Sequence, residues 1–412
     1  MTKLEELIQE LCPDGVEYKP LGDIATISRG GSFQKKDYTE NGVPCIHYGQ
    51  IYMYYGLFAE KTLTYISEEV AQKQKFAEPG DIIMAVTSEN MDDVCKCMAW
   101  LGSKKIAVSG HTAIIHHSIN PKYLVYWLSS TMFYQQKVKI AHGTKVIEVA
   151  PARLADIILP VPPLPVQREI VHILDNFTEL TAELTAELTA RKQQYAYYRD
   201  KLLTFENFTE WRTLDDVIVS LNTGLNPRQF FKLNPDDAHN YYVTIREIQN
   251  GTIVVSDKTD RINDDALRLC NNRSNLEVGD VLFSGTGTIG ETAVISEPPT
   301  NWNIKEGIYV IKPRKEVLHP RYLMYILRTD ALRSAIFKKV AGGTVKSIPM
   351  AEMRNLRVPV PSLKIQKRLV EVLDNFDSIC TDLSSGLPAE IEARQKQYEY
   401  YRDKLLTFTP AN

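Results

Sequence analysis

At 412 residues, 44% of them apolar, 24% charged and 9% aromatic, the chain has the make-up of a globular protein of two or three domains, which excludes a disordered or collagen-like chain. A net charge of −3 excludes a uniformly basic nucleic-acid coat but not a nucleic-acid binder, because binding depends on where the charge sits. No apolar run approaches the roughly 18 residues of a membrane span, and the cysteines are scattered with only Cys95 and Cys97 close together, so they read as reduced thiols of a cytoplasmic protein without a zinc site.

Residues 1–16 are acidic and amphipathic and lack the basic and apolar regions of a secretion signal. A first module spans 17–158. Short β-branched runs such as Ile82 to Val86 alternate there with a helical stretch near Tyr123 to Val138, a pattern of α+β class. Its turns gather cationic, amide and hydroxyl side chains: Arg29, Ser32, Gln34, Lys35 and Lys36, then His47, Tyr48 and Gln50, and later His142, Thr144 and Lys145. Glycines among them let backbone approach a phosphate, Lys and Arg neutralise it, and Gln, Asn and Arg pair bidentately with base edges. Taken singly, each loop reads equally as a solvated turn.

The region 159–209 opens on Pro160-Val161-Pro162-Pro163-Leu164 and continues with Val166, Ile170, Ile173, Leu174 and Phe177 at helical spacing. A strict four-residue period follows, with Leu180, Leu184 and Leu188 in a TAEL repeat that drifts around a 3.6-residue helix and so forms a seam segment. The helix expected from Val166 to Phe205 is about 60 Å long and needs a partner helix.

A second module, 210–357, carries strand-like runs at Tyr241 to Ile245 and Thr252 to Val255 and a helical stretch near Tyr322 to Lys339. Its polar turns hold Asn226, Arg228 and Gln229, then Arg246, and later Thr344 and Lys346. Between them, Phe283 to Gly290 satisfies GxGxxG. A nucleotide loop of that kind opens a helix, whereas Glu291 to Ser296 reads as a strand, so Thr286 and Thr288 are assigned to DNA contact or to a strand-linking turn. There is no N-P-P-Tyr or N-P-P-Phe motif, no Walker A loop and no metal-ligand cluster, and His116-His117 reads as structural. The region 358–412 is the second helix, in which Ser385-Gly386-Leu387-Pro388 is expected to break and restart the helix with Pro388 in a first turn.

The two halves repeat. Pro160–Phe177 matches Pro359–Phe376 at ten of eighteen positions, and Ala190–Phe205 matches Ala393–Phe408 at thirteen of sixteen. Fainter matches keep the same order: Gly80-Asp81 with Gly279-Asp280, Pro121-Lys122-Tyr123-Leu124 with Pro320-Arg321-Tyr322-Leu323, and Gly143-Thr144 with Gly343-Thr344. Near-identical helices flank divergent modules, as expected of a protein recognising two different things, though duplication with neutral drift gives the same pattern. The modules carry net charges of +1 and +2, more positive than the rest. The repeated helix ends, Tyr195, Tyr197, Tyr198 and Arg199 with Tyr398, Tyr400, Tyr401 and Arg402, suit helix-pair packing or a surface for a partner chain.

Two divergent modules alternating with two near-identical helices, each entered through a PxPPLxxQ or PVPSLxxQ segment, resemble the specificity (S) subunit of type I restriction–modification systems. The TAEL repeats and QYxYYRD helix ends are similar to the subgroup with a tandem TAEL spacer. The resemblance implies two α+β target-recognition domains separated by long antiparallel, coiled-coil-like spacer helices, binding an asymmetric bipartite site in double-stranded DNA. It further implies that two modification (methyltransferase) subunits dock on the chain, and that restriction (translocase/endonuclease) subunits join through them. S-adenosylmethionine, ATP and Mg would sit on those partners, with no cofactor or catalytic group on this chain. The alternatives are a self-contained S-adenosylmethionine-dependent DNA adenine methyltransferase and a coiled-coil scaffold without DNA.

Overall fold

The computed structural model describes residues 2–205, 209–342, 345–381 and 386–411. The chain forms two compact units: Met1–Glu183 with Ile391–Asn412, and Leu184–Glu390. Each is α+β.

In the first unit, Ile82–Ala85 is buried on both faces, as its unbroken apolar run requires. It lies inside a five-stranded sheet ordered Ala25–Arg29, Thr112–His117, Ile82–Ala85, Cys97–Trp100, Phe58–Ala59. A second sheet pairs Val43–Ile46 in parallel with Ile106–Val108, with Cys45 opposite Ala107 and Ile46 opposite Val108. The second unit repeats the plan. Ile218–Thr223, Ile308–Pro313, Val281–Ser284 and Thr292–Val294 form one sheet, and Asn240–Val243 runs parallel to Trp302–Ile304 in another. Each module starts and ends in one antiparallel ribbon, Tyr18 opposite Pro160 and Trp211 opposite Pro359. Both ends of a module therefore meet at one place. The expected helical stretches are each two helices, Pro121–Leu128 and Thr131–Ile140, then Pro320–Leu327 and Asp330–Phe337. The breaks fall where Ser130 and Thr329 cap the second helix of each pair.

The first long helix is continuous over Leu164–Leu202. The second is described over Leu363–Thr381 and again from Leu387 to Leu405, with Pro388 in the first turn. Ser385 of the expected break lies outside the described residues. Within the first unit, Phe177 in the first half of the first helix stacks on Tyr401 near the end of the second, centroids 5.4 Å apart. Within the second unit, Tyr198 stacks on Phe376 at 6.3 Å. The two helices thus run antiparallel.

The repeated residues at each helix start are the bonds that tie it to its module. Gln167 and Gln366 are buried; their carbonyl oxygens accept the Asn120 and His319 N–H at 2.8 and 2.7 Å, and their amides donate to the Pro162 and Pro361 carbonyls at 2.7 and 2.8 Å. Asp175 and Asp374 accept from the Tyr126 and Tyr325 hydroxyls at 2.7 and 2.5 Å, and pair with Lys122 and Arg321. At the helix ends, Asp200 and Asp403 accept the first N–H of the Asp330–Phe337 and Thr131–Ile140 helices, an anion at a helix N-terminus.

Gln366→Leu strands the His319 N–H and the carbonyls that Gln366 serves, inside the protein. The expected loss is roughly 2–3 kcal/mol of stability, read as a lower urea midpoint. Ile365→Ala, at an exposed neighbour, is expected to move the midpoint little.

Candidate nucleic-acid interface

The polar loops emerge where the parallel strands end. In the first unit, the residue after Val43–Ile46 is His47, whose Nδ1 accepts from the Gly49 N–H at 3.2 Å, while Gln50 Oε1 accepts from the His47 N–H at 2.9 Å. In the second, Thr244 follows Asn240–Val243 and Glu247 Oε2 accepts from its N–H at 2.8 Å. The same reciprocal cap opens a short helix at both places. The strand registers make His47 equivalent to Thr244 and Gln50 to Glu247. The turns facing them are equivalent too: the Ser109 N–H donates to the Ile46 carbonyl at 3.1 Å, and the Lys305 N–H to the Val243 carbonyl at 2.9 Å.

Around the turn Ser109–Thr112 the first unit gathers Arg29, whose Nε donates to the Gly110 carbonyl at 2.9 Å, with Tyr48, His47 and His111. The Tyr48 ring lies 4.5 Å from His47 and 5.0 Å from His111. Burial first, then the nearby Lys35 and His111, hold the His47 imidazole below its ordinary pKa. Ser32 borders this group, its N–H donating to Gln74 Oε1 at 2.7 Å. Gln34, Lys35 and Lys36 are exposed in the adjacent turn, closed by the Gln34 N–H to Asp37. Gln50, expected at the surface, is buried at 7% exposure; its amide donates to Thr64 and its carbonyl caps the helix. It shapes the loop from inside.

His142, Thr144 and Lys145 lie on an exposed hairpin closed by a bridge from His142 to Glu148, and Glu148 reaches Arg29 at 3.6 Å. The hairpin of the second unit is closed from Ala341 to Ser347. This shifts the repeat by one residue: Gly143 corresponds to Gly342, both at positive φ (+108° and +113°), not to Gly343. A two-residue sequence match cannot choose between adjacent glycines, whereas the ladder does. Thr344 lies outside the described residues.

In the second unit Arg246, Thr286 and Thr288 line one cleft of about 570 Å3 together with Lys305 and Val345. Arg246 is held by Asp260 at 3.0 Å. Lys346 joins this rim, its carbonyl accepting the Gly287 N–H at 2.9 Å. The GxGxxG segment leads into the strand Thr292–Val294 and folds on itself, Ser284 Oγ donating to the Thr288 carbonyl at 2.6 Å. Asn226 caps the short Pro227–Phe230 helix, on which Arg228 and Gln229 are exposed, and Leu225 just before it bridges to Lys305. Among the described residues, Lys35, Lys36, Lys145, Arg228, Lys305 and Lys346 have no ion-pair partner and no group of three or more His, Cys, Asp or Glu is placed for a metal.

Sequence reading missed His111 and Lys305. Their one signal was position, in turns between the paired strands. At the helix ends, Tyr398 is buried and Tyr195 half-buried, and Arg199 and Arg402 pair with Asp200 and Asp403. Tyr198 and Tyr401 stack on phenylalanines, whereas Tyr197 and Tyr400 are 62% exposed with Lys201 and Lys404 over their rings.

A family model described as type I restriction modification DNA specificity domain matches residues 13–191 and again 209–393. The chain belongs to this specificity-subunit family. It is 30% identical to the EcoR124I/EcoR124II specificity subunit of Escherichia coli over 99% of this chain and 97% of that one. A solved chain from work on complex assembly and conformational transition of the type I R-M system shares the fold, with a TM-score of 0.63 at 16% identity over 96% of this chain and 98% of that one. Specificity subunits are non-catalytic recognition subunits, which favours recognition over a self-contained methyltransferase. No helix among the described residues is long and apolar enough to cross a membrane.

The alanine variant Lys35/Lys36/Arg228/Gln229 is expected to bind DNA more weakly with a shallower dependence on salt, since unpaired cations release counterions from phosphates. Salt-titrated binding of the specificity–modification complex checks this; an unchanged slope and affinity would remove these residues from the interface.

Proposed function

We propose that the two units each read one half of an asymmetric bipartite site in double-stranded DNA. The division into 17–158 and 210–357 as readers, with 159–209 and 358–412 as spacer helices, belongs to this reading. The observation that supports it is the equivalence of the loops. One hydrogen-bonded frame carries His47, Tyr48 and Gly49 in the first unit and Thr244, Ile245 and Arg246 in the second. Identical frames with different side chains suit two readers of different sequence. Two modification subunits would dock along the repeated helices, with exposed Tyr197 and Tyr400 as contact points, and restriction subunits would join through them. Those partners would hold S-adenosylmethionine, ATP and Mg, and would methylate one adenine in each half-site. The assembly would work in the cytoplasm.

Replacing residues 17–158 with a foreign module is expected to change one half of the methylated site and leave the other intact, because the module's ends meet in one ribbon. Methylome sequencing reads the outcome; a change in both halves would end the modular reading.

The TAEL segment would set the unread spacer between half-sites. Four residues lengthen a helix by about 6 Å and turn it by about 400°, a net 40°. One base pair rises roughly 3.4 Å and turns about 35°. The rotations nearly agree, and tilt or DNA bending takes up the excess rise. One more TAEL after Leu188 is expected to lengthen the spacer by one base pair with both half-sites unchanged. An unaltered spacer in the methylation map would show that the repeat is only helical filler.

A further inference from the structure

An aliphatic side chain stands in water at the tip of the same hairpin in each unit. Val146 is 59% exposed and Val345 61%. Each follows its left-handed glycine by three residues, and a Cβ on that glycine would stand 2.0 Å from the Val146 carbonyl oxygen or 2.5 Å from that of Val345. The tight turn therefore needs glycine, and it holds the valine at one place. Both hairpins are closed at their base, His142 to Glu148 and Ala341 to Ser347. Both are also braced from the side, where Ile147 pairs with Ser88 and the Gly287 N–H donates to the Lys346 carbonyl at 2.9 Å. Held through the residues on either side, Val146 and Val345 stay outward instead of folding onto the core.

The neighbouring charges indicate what covers it. Lys145 and Lys346, adjacent in sequence to the valines, are exposed and have no ion-pair partner among the described residues. Val345 shares its cleft with Arg246 and Lys305. Arg246 is already held by Asp260, and Glu306 lines the same cleft, so the unpaired charges beside the valines are Lys145, Lys346 and Lys305. These match a polyanion rather than the apolar face of another protein. The apolar group that a DNA groove offers beside its phosphates is the C5-methyl of thymine. Wedges that part base steps are Phe, Leu, Ile, Met or Pro rather than valine.

We infer that Val146 and Val345 are thymine readers, each resting on the C5-methyl of one thymine in its own half-site. This rests on the two-reader assignment and adds the base and the residues that recognise it. It also accounts for a shared residue in otherwise divergent loops: half-sites that each carry a methylatable adenine each carry a thymine opposite it.

The test uses the assembled specificity–modification complex and duplexes of its own methylated site in which each thymine in turn is replaced by uracil, which removes only the methyl. The wild type is expected to lose about fourfold in affinity at one thymine in each half-site, the value of one buried methyl. Val146→Ala and Val345→Ala are expected to bind the thymine duplex more weakly and to become indifferent to uracil at that position of their own half-site. Val146→Thr and Val345→Thr, which keep the branch and one methyl, should fall between. Losses that simply multiply, a uniform loss on every duplex, or unchanged affinity of the alanine variants would each overturn the inference. If site-selective binding persists in those cases, the two-reader assignment stands. A wild-type complex that shows no sequence-selective retention would remove that assignment, and this inference with it.

Discussion

A buried glutamine at the start of each long helix is the joint on which the rest depends. Gln167 and Gln366 each accept a backbone N–H that opens a module helix and donate to the proline carbonyl that precedes their own. A buried polar side chain so fully used can be replaced by no apolar residue without stranding its partners. Asp175 and Asp374 add a hydroxyl and a cation about two helical turns beyond. These bonds fix how each helix leaves its module, and the loops of the module are positioned against that direction.

The joint also explains why the duplicated halves have diverged so unevenly. Residues that hold helix to module are nearly copied because each bond has a buried counterpart in the other chain segment. The loops beyond the parallel strands are held by their own backbone: reciprocal caps at His47–Gln50 and Thr244–Glu247, and bridges at the hairpin bases. Side chains on such loops can change without disturbing the joint. In the first unit an aromatic and imidazole cluster results, in the second a cleft with a fixed arginine. A net charge near zero is compatible with this because the unpaired cations sit on the loops while carboxylates elsewhere are spent on joints, caps and pairs.

The parts whose physics is local were legible in the order of residues alone. Helical spacing, prolines at first turns and the break before Pro388 located both long helices to within a few residues, and the repeat showed that they come as a pair. The strand after the GxGxxG segment was legible because Thr292, Val294 and Ile295 make Glu291 to Ser296 rich in β-branched residues. Residue type also placed Thr286 and Thr288 at an exposed turn, whereas Arg29, equally exposed, is the last residue of a strand and Arg246 lies in a short helix.

Whatever depends on non-local pairing became visible only in the folded chain. Cys45 pairs with Ala107 and Tyr242 with Asn303, partners distant in the chain, and these ladders set which loops face each other. They turned Gln50 inward, brought His111 against Tyr48 and Lys305 into the cleft with Arg246, and aligned Gly143 with Gly342. They also left Val146 and Val345 in solvent, where their residue type alone would have placed them in the core. Exposure is a property of strand register and loop closure, and a side chain's chemistry does not carry that information.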